Sequence, residues 1–224
     1  MEQQELRQYT VEFHSDEGTR TIEGRAIPFG VWSPNREGFR ERISPEAVEG
    51  VIENSDIKMY YNHDRSQGFL ARSNKGKGKL KIDVRDDGVW FTFEAKKDNT
   101  SNYVLERIQS GELNETSFAF TVDGESWEKA ADGVYERTIT KFRALYDFSV
   151  VDNSYYGLEG TVGCKRFAEI QEEERLANEQ RMKEEEEKRA AEEEAQKAKE
   201  AQEAQEKLDA YYSNLKQSYG DLLQ

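Results

Sequence analysis

The chain has two histidines and one cysteine, so proton-transfer or nucleophilic chemistry has few places to sit. His63 stands in "YYNHDR", at the end of an apolar-faced run and before the loop "DRSQG". An imidazole at a strand end combines partial burial with access to a reacting group, as a general base requires, although many histidines so placed are structural. Asp147 stands in "ALYDFSVV", flanked by Leu145, Tyr146, Phe148 and Val150. A carboxylate amid such residues is costly to bury unless a donor meets it, and a histidine N–H is one suitable donor. The other readings are a half-exposed strand aspartate or a structural pair with Arg143. Ser117 lies in "ELNETSFAF". On an amphipathic strand Thr116, Phe118, Phe120 and Val122 share one face, and Ser117 and Ala119 the other. It is then either a small residue on a half-exposed strand or a nucleophile kept clear of bulky neighbours; nine residues do not separate the two.

Other chemistries fit poorly. A zinc site of His and Cys would use almost every such residue at no recognisable ligand spacing, so no metal is expected. "NKGKGK" lacks the first glycine and the Lys-Ser/Thr ending of a phosphate loop and reads as a flexible basic turn. No cofactor is expected. Cys164 has no local His or Asp partner and reads as a structural thiol; a lone cysteine excludes an intramolecular disulfide and fits a reducing compartment. His14, in "FHSDEG", reads as an exposed turn residue.

A net charge of −14 argues against binding a nucleic-acid backbone, which needs clustered Lys and Arg. About −8 of it lies between Glu169 and Asp209, where it reads as a solvated face or an interaction tail. No run is long and apolar enough to span a membrane, and "MEQQELRQYT" lacks a signal peptide's basic start and apolar centre. The protein is expected to be made and used inside a cell.

The elements that must position these residues are mostly short strands. "YTVEFHSDEGTRTIEGRAIPFG" reads as two strands around a turn, and "FRERI" as another. Ser44-Pro45 suits the cap and first position of a helix through "EAVEGVIEN". "DIKMYYNH" is a strand candidate with Ile57, Met59, Tyr61 and His63 on one face. "KLKIDVRDDGVWFTFEAK" alternates on both sides of Asp87-Gly88, the pattern of a hairpin. "NTSNYVLERIQSG" reads as a helix with a Ser or Asn cap and Gly111 as its stop. "TSFAFTV", "VYERTITKF" and "ALYDFSVV" are three further strands. Many short strands with two inserted helices predict an α+β, mainly β fold, a closed or nearly closed β-barrel with peripheral helices.

Beyond about Lys165 the composition is Glu, Lys, Ala and Gln, with no Pro and no Gly until Gly220, and predicts a long C-terminal helix. Ala191, Ala195, Ala198 and Ala201 form a narrow stripe. Leu208, Tyr212, Leu215, Tyr219 and Leu222 follow at spacings of four and three, the seam of a short coiled coil. The expected division is a domain over 1–165 and an acidic helical tail over 166–224, either solvated or used for partner binding or self-association.

The segments "GRAIPFGVW", "FRERISPEAVEG", "IKMYYNHD", "GELNETSFAF" and "ALYDFSVV", in that order, resemble the prohead (capsid maturation) protease family of tailed bacteriophages. The match runs from Gly24 to about Val151; the ordered set, rather than any one motif, carries it. That family is similar to the herpesvirus assemblins in its β-barrel ringed by helices and in its serine-protease chemistry. The resemblance implies Ser117 as nucleophile, His63 as general base and Asp147 as orienting acid, at a position where the family usually carries Glu. It implies a serine endopeptidase that cuts the scaffolding segment of the major capsid protein, and itself, inside the procapsid assembling in the host cytoplasm. The family's usual Pro-Ala after the last strand is "NSYYG" here, so the chain's exit from the barrel is expected to differ. Arg143 is a candidate supporting charge. Two other classes remain: a non-enzymatic scaffolding protein that keeps a protease-like barrel, supported by the long charged helix, and an OB-like nucleic-acid binder, which the acidic balance opposes.

Overall fold

The computed structural model describes residues 4–10, 13–16, 18–35, 38–152 and 165–221; Cys164 and "NSYYG" lie outside them. The chain divides into two compact units, Met1–Lys165 and Arg166–Gln224.

The first unit is mainly β. Its larger sheet holds β1 (Glu5–Thr10), β9 (Glu115–Lys129), β10 (Tyr135–Val151), β4 (Asp56–Tyr61), β5 (Ala71–Asn74) and β6 (Lys77–Gly78), in that order. β3 (Phe39–Ile43) runs parallel to the first part of β10. A smaller sheet has the order β2 (Thr21–Pro28), β8 (Gly88–Glu94), β7 (Lys81–Arg85). The expected closed barrel does not emerge from these pairings: among the described residues the strands make two open sheets.

The hairpin β7–β8 forms where alternation and Asp87-Gly88 predict it, with Arg85 opposite Gly88. Val89, Phe91 and Phe93 enter the core, and Phe91 reaches Phe148 of the larger sheet at a ring separation of 6.5 Å. Across from Phe91, Gly24 leaves room for two rings; a Cβ there would lie 2.8 Å from Phe13 and 2.9 Å from Phe91. The segment expected to pair with β2 as its neighbour in sequence starts earlier, as β1, and pairs with β9 instead; among the described residues an isolated bridge, His14 with Glu23, links the two stretches. The expected helix after Ser44 is a single 3-10 turn, Pro45–Val48, and Gly50 in the left-handed region (φ 67°) precludes its extension. The helix α1 (Asn99–Gln109) is capped by Asp98 rather than by the expected Ser or Asn of "NTSN", its carboxylate accepting from the Ser101 N–H at 2.8 Å. Gly111 follows its end with φ 77°.

"VYERTITKF" and "ALYDFSVV" are one strand, β10. Ile139, Phe142, Leu145 and Phe148 are all buried, a spacing of three that a regular strand of period two cannot hold on one face. Register shifts between Ile139 and Asp147 supply the extra residues, so the strand stays continuous while its inner face is kept apolar.

One end of the larger sheet buries charge. Arg137 donates to Glu5 at 2.6 and 2.8 Å, to Glu41 at 3.0 Å and to Glu125 at 2.6 Å, while Arg7 pairs with Glu41 and, at 2.6 Å, with Glu5. These side chains come from β1, β3, β9 and β10, so the cluster fastens both flanking strands to the central pair. Such a network fixes geometry more than it adds stability, but removing one cation leaves unpaired charge in the interior.

The second unit is one helix, α2 (Lys165–Asp221), 57 residues long. From Arg175 to Ser213 every side chain is exposed, including the alanine stripe, Leu208 and Tyr212. Pairs three or four residues apart, such as Arg175 with Glu172 and Glu179 and Lys197 with Glu193, line its surface. The side chains of Leu215 and Tyr219, and all of Leu222, lie outside the described residues.

Two outcomes are expected. Arg137→Met should leave Glu5 and Glu41 sharing Arg7 alone, take its guanidinium from Glu125, and lower the unfolding free energy by about 3–5 kcal/mol in urea titrations. Burial alone would raise the Glu5 carboxyl above its ordinary 4.5, but Arg137 and Arg7 outweigh burial and hold it below. A lowered folded value contributes stability that is present above the unfolded value and lost as pH falls through the folded one. Unfolding titrations below about pH 5 should therefore show a steeper loss in the wild type than in Glu5→Gln.

Candidate active site

Ser117 is the third residue of β9, with Gln8 of β1 opposite it on one side and Ser149 of β10 on the other. Alternation places it as expected: Phe118 and Phe120 enter the core, and Ser117 and Ala119 turn the other way. That other face is not half-exposed, however. Ser117 is 4% exposed and Ala119 is fully covered.

His63 reaches this face by breaking the alternation. Ile57 and Met59 of β4 are buried in the core, and a continued strand would carry His63 to their side. The strand instead ends at Tyr61, and Asn62 and His63 both take left-handed backbone conformations, with φ of 53° and 56°. Asn and His are the non-glycine residues that tolerate this region best. The turn is tied to β10: the Asn62 N–H donates to Val150 O at 2.9 Å, and its side-chain oxygen accepts the Asp152 N–H at 3.1 Å. The His63 N–H donates to Ser149 Oγ at 3.3 Å.

Asp147 reaches the same face by the opposite device. Leu145 is buried in the core, and regular alternation would place Asp147 beside it. The register shift between Leu145 and Asp147 reverses the parity. Phe148 then takes the core position, while Asp147 and Ser149 join Ser117.

The three residues singled out in the sequence therefore meet. Ser117 Oγ lies 2.7 Å from His63 Nε2, and His63 Nδ1 lies 2.5 Å from Asp147 Oδ1. The His63 side chain is 12% exposed and Asp147 3%, so the imidazole is the group nearest to solvent and the carboxylate is shielded behind it. In this chain of hydrogen bonds an imidazole protonated at Nδ1 can accept the serine proton at Nε2, while the carboxylate holds the ring and balances the charge that forms. Ser149, which the sequence reading passed over, completes the contact set, with its Oγ 3.1 Å from His63 Nδ1 and 3.3 Å from Asp147 Oδ1. Its signal was its place two residues after Asp147, on the same face of the strand.

Arg143, the candidate supporting charge, instead donates to Asp123 at 3.0 Å and is half-exposed. The cation near Asp147 is Arg65, 3.9 Å from Oδ2, largely in water and too far for a hydrogen bond. His14 is exposed, as expected, beside Trp90. A groove of about 750 Å³ opens between β4 and β10, lined in part by Lys58, Tyr60, Arg65 and Tyr146; Ser117 and His63 do not line it. Among the described residues no cluster of His, Cys, Asp or Glu is placed to hold a metal, and no helix is long and apolar enough to cross a membrane.

Comparison with known proteins agrees with the family reading. The sequence model of the family described as caudovirus prohead serine protease matches residues 5–172. Among solved structures, the bacteriophage T4 capsid assembly protease is similar at 10% identity and a TM-score of 0.42, covering 69% of this chain and 99% of that one. No curated protein sequence matches. With three-quarters of its length inside the family match, the chain belongs to the caudovirus prohead serine protease family.

Proposed function

We propose that this protein is a serine endopeptidase of phage capsid maturation, with Ser117 as nucleophile, His63 as general base and Asp147 as the acid that orients it. The observation that carries the reading is the continuous contact from Ser117 Oγ through both His63 nitrogens to Asp147, at 2.7 and 2.5 Å. Ser117 Oγ attacks the scissile carbonyl carbon as His63 Nε2 takes its proton. The tetrahedral intermediate collapses, His63 returns the proton to the leaving amine, and a water activated in the same way releases the acyl group. Asp in place of the family's usual Glu reaches His63 because it lies on β10 itself, directly behind the ring.

The proposed substrates are the scaffolding segment of the major capsid protein and the chain itself, inside the assembling procapsid. The domain that carries this activity is assigned to residues 1–165. The acidic helix over 166–224 is proposed to engage scaffold or capsid protein, or a second copy, and to be released by cleavage. Its exposed face from Arg175 to Ser213 supports that role, since nothing on this helix is buried there.

Purified wild-type protein should shed its C-terminal region over time, and Ser117→Ala should stay full length. If the wild type stays intact with capsid protein present, the endopeptidase reading fails and a scaffolding protein with a silent site stands in its place. A sulfonyl fluoride or phosphonate should label Ser117, and His63→Ala should abolish labelling. Asp147→Asn should lower kcat by about 10³- to 10⁴-fold by misplacing the ring proton. Retention of full activity in that variant would remove Asp147 from its role.

A further inference from the structure

Ser149 is fully buried and stands directly opposite Ser117 in the β9–β10 register. A hydroxyl has one proton to give and two lone pairs. Three atoms converge on Ser149 Oγ: the His63 backbone nitrogen at 3.3 Å, His63 Nδ1 at 3.1 Å and Asp147 Oδ1 at 3.3 Å. The backbone N–H can only donate, so it occupies one lone pair. An ionised carboxylate can only accept, so the hydroxyl proton is directed to Asp147 Oδ1. One lone pair remains, and it faces Nδ1.

Only one tautomer of His63 suits that arrangement. With Nδ1 protonated, its hydrogen is shared between Asp147 Oδ1 at 2.5 Å and the free lone pair of Ser149, and Nε2 is left bare toward Ser117. With Nδ1 bare, two acceptors would face each other at 2.5 Å with no hydrogen between them. We infer that Ser149 is a positioning residue, which holds the backbone of His63 in its left-handed turn and, by donating to Asp147 Oδ1, holds that carboxylate on the Nδ1–H that leaves Nε2 ready to take a proton. Its burial keeps it from substrate, so it is no second nucleophile. Because it lies on the same strand as Asp147, two residues on, one β-strand sets both acceptors at fixed separation.

The inference rests on the proposed roles of Ser117, His63 and Asp147, and labelling of Ser117 in the wild type by a sulfonyl fluoride tests those roles separately. In the labelling-competent protein, Ser149→Ala should lower kcat and the rate of labelling by about 10- to 100-fold with KM within about twofold. Ser149→Cys, close in volume but a poor hydrogen-bonding partner, should fall as far, while Ser149→Thr should retain more activity than either. NMR of the imidazole, with His14→Gln used to assign it, should show Nδ1 protonated in both proteins and the Nδ1–H proton resonance moved upfield in Ser149→Ala as its bond to Asp147 loosens. Melting curves would report whether each variant is folded. Wild-type kcat and an unmoved Nδ1–H resonance in Ser149→Ala, or full activity in Ser149→Cys, would overturn the inference while leaving the protease reading intact. Failure of the wild type to label would overturn the protease reading instead.

Discussion

The antiparallel pairing of β9 with β10 is the contact on which both the core and the site depend. Phe118 faces Phe148 on one side of the pair, and Ser117 faces Ser149 on the other. A β-pair has only these two sides, and a slip of one residue would exchange them. The apolar side is large and interlocked: Phe118 packs on Phe120 and Phe142, and Phe148 on Phe91 of the smaller sheet. Burying those rings favours one register strongly, and that register brings the two serines to the same spot on the opposite face. The site is held in place by hydrophobic packing behind it rather than by its own hydrogen bonds.

The buried charge cluster serves the same pair at its other end. Glu5 and Arg7 come from β1, Glu41 from β3, Glu125 from β9 and Arg137 from β10. Apolar side chains could fill that volume, but an apolar contact tolerates sliding where a bidentate guanidinium does not. The flanking strands are thereby held in register with the central pair that carries Ser117.

What the sequence disclosed depended on how local each feature was. The β7–β8 hairpin and α1 were legible because alternation, an Asp-Gly turn, a cap region and a glycine stop all lie within a few neighbouring residues. The strand through Ser117 was legible for the same reason. β10 looked like two strands because its apolar residues recur at three, a period that belongs to neither regular strand nor a full helix, and only pairing with β9 makes it continuous. His63 was assigned to the core face of β4, since nothing in "YYNHDR" declares two left-handed residues in succession. The buried pairing of charges in "FRERI" and "VYERTITKF" was not legible, because their partners lie on strands distant in sequence. The identities of Ser117, His63 and Asp147 came from ordered motifs; their common face could not, because it arises from two departures from alternation on two different strands.

Those departures make the site a matter of counting. Between Leu145 and Asp147 the chain holds one residue more than a regular ladder would use, and Tyr146 turns outward there. A ladder that kept this residue but paired it regularly would disturb no side chain's chemistry, yet it would deliver the carboxylate to the hydrophobic interior. Substitutions around the site change what a side chain offers, whereas ironing out the bulge would change where every later side chain points. A lineage carrying this fold should therefore keep the irregular pairing between Leu145 and Asp147 as firmly as it keeps the side chains that follow.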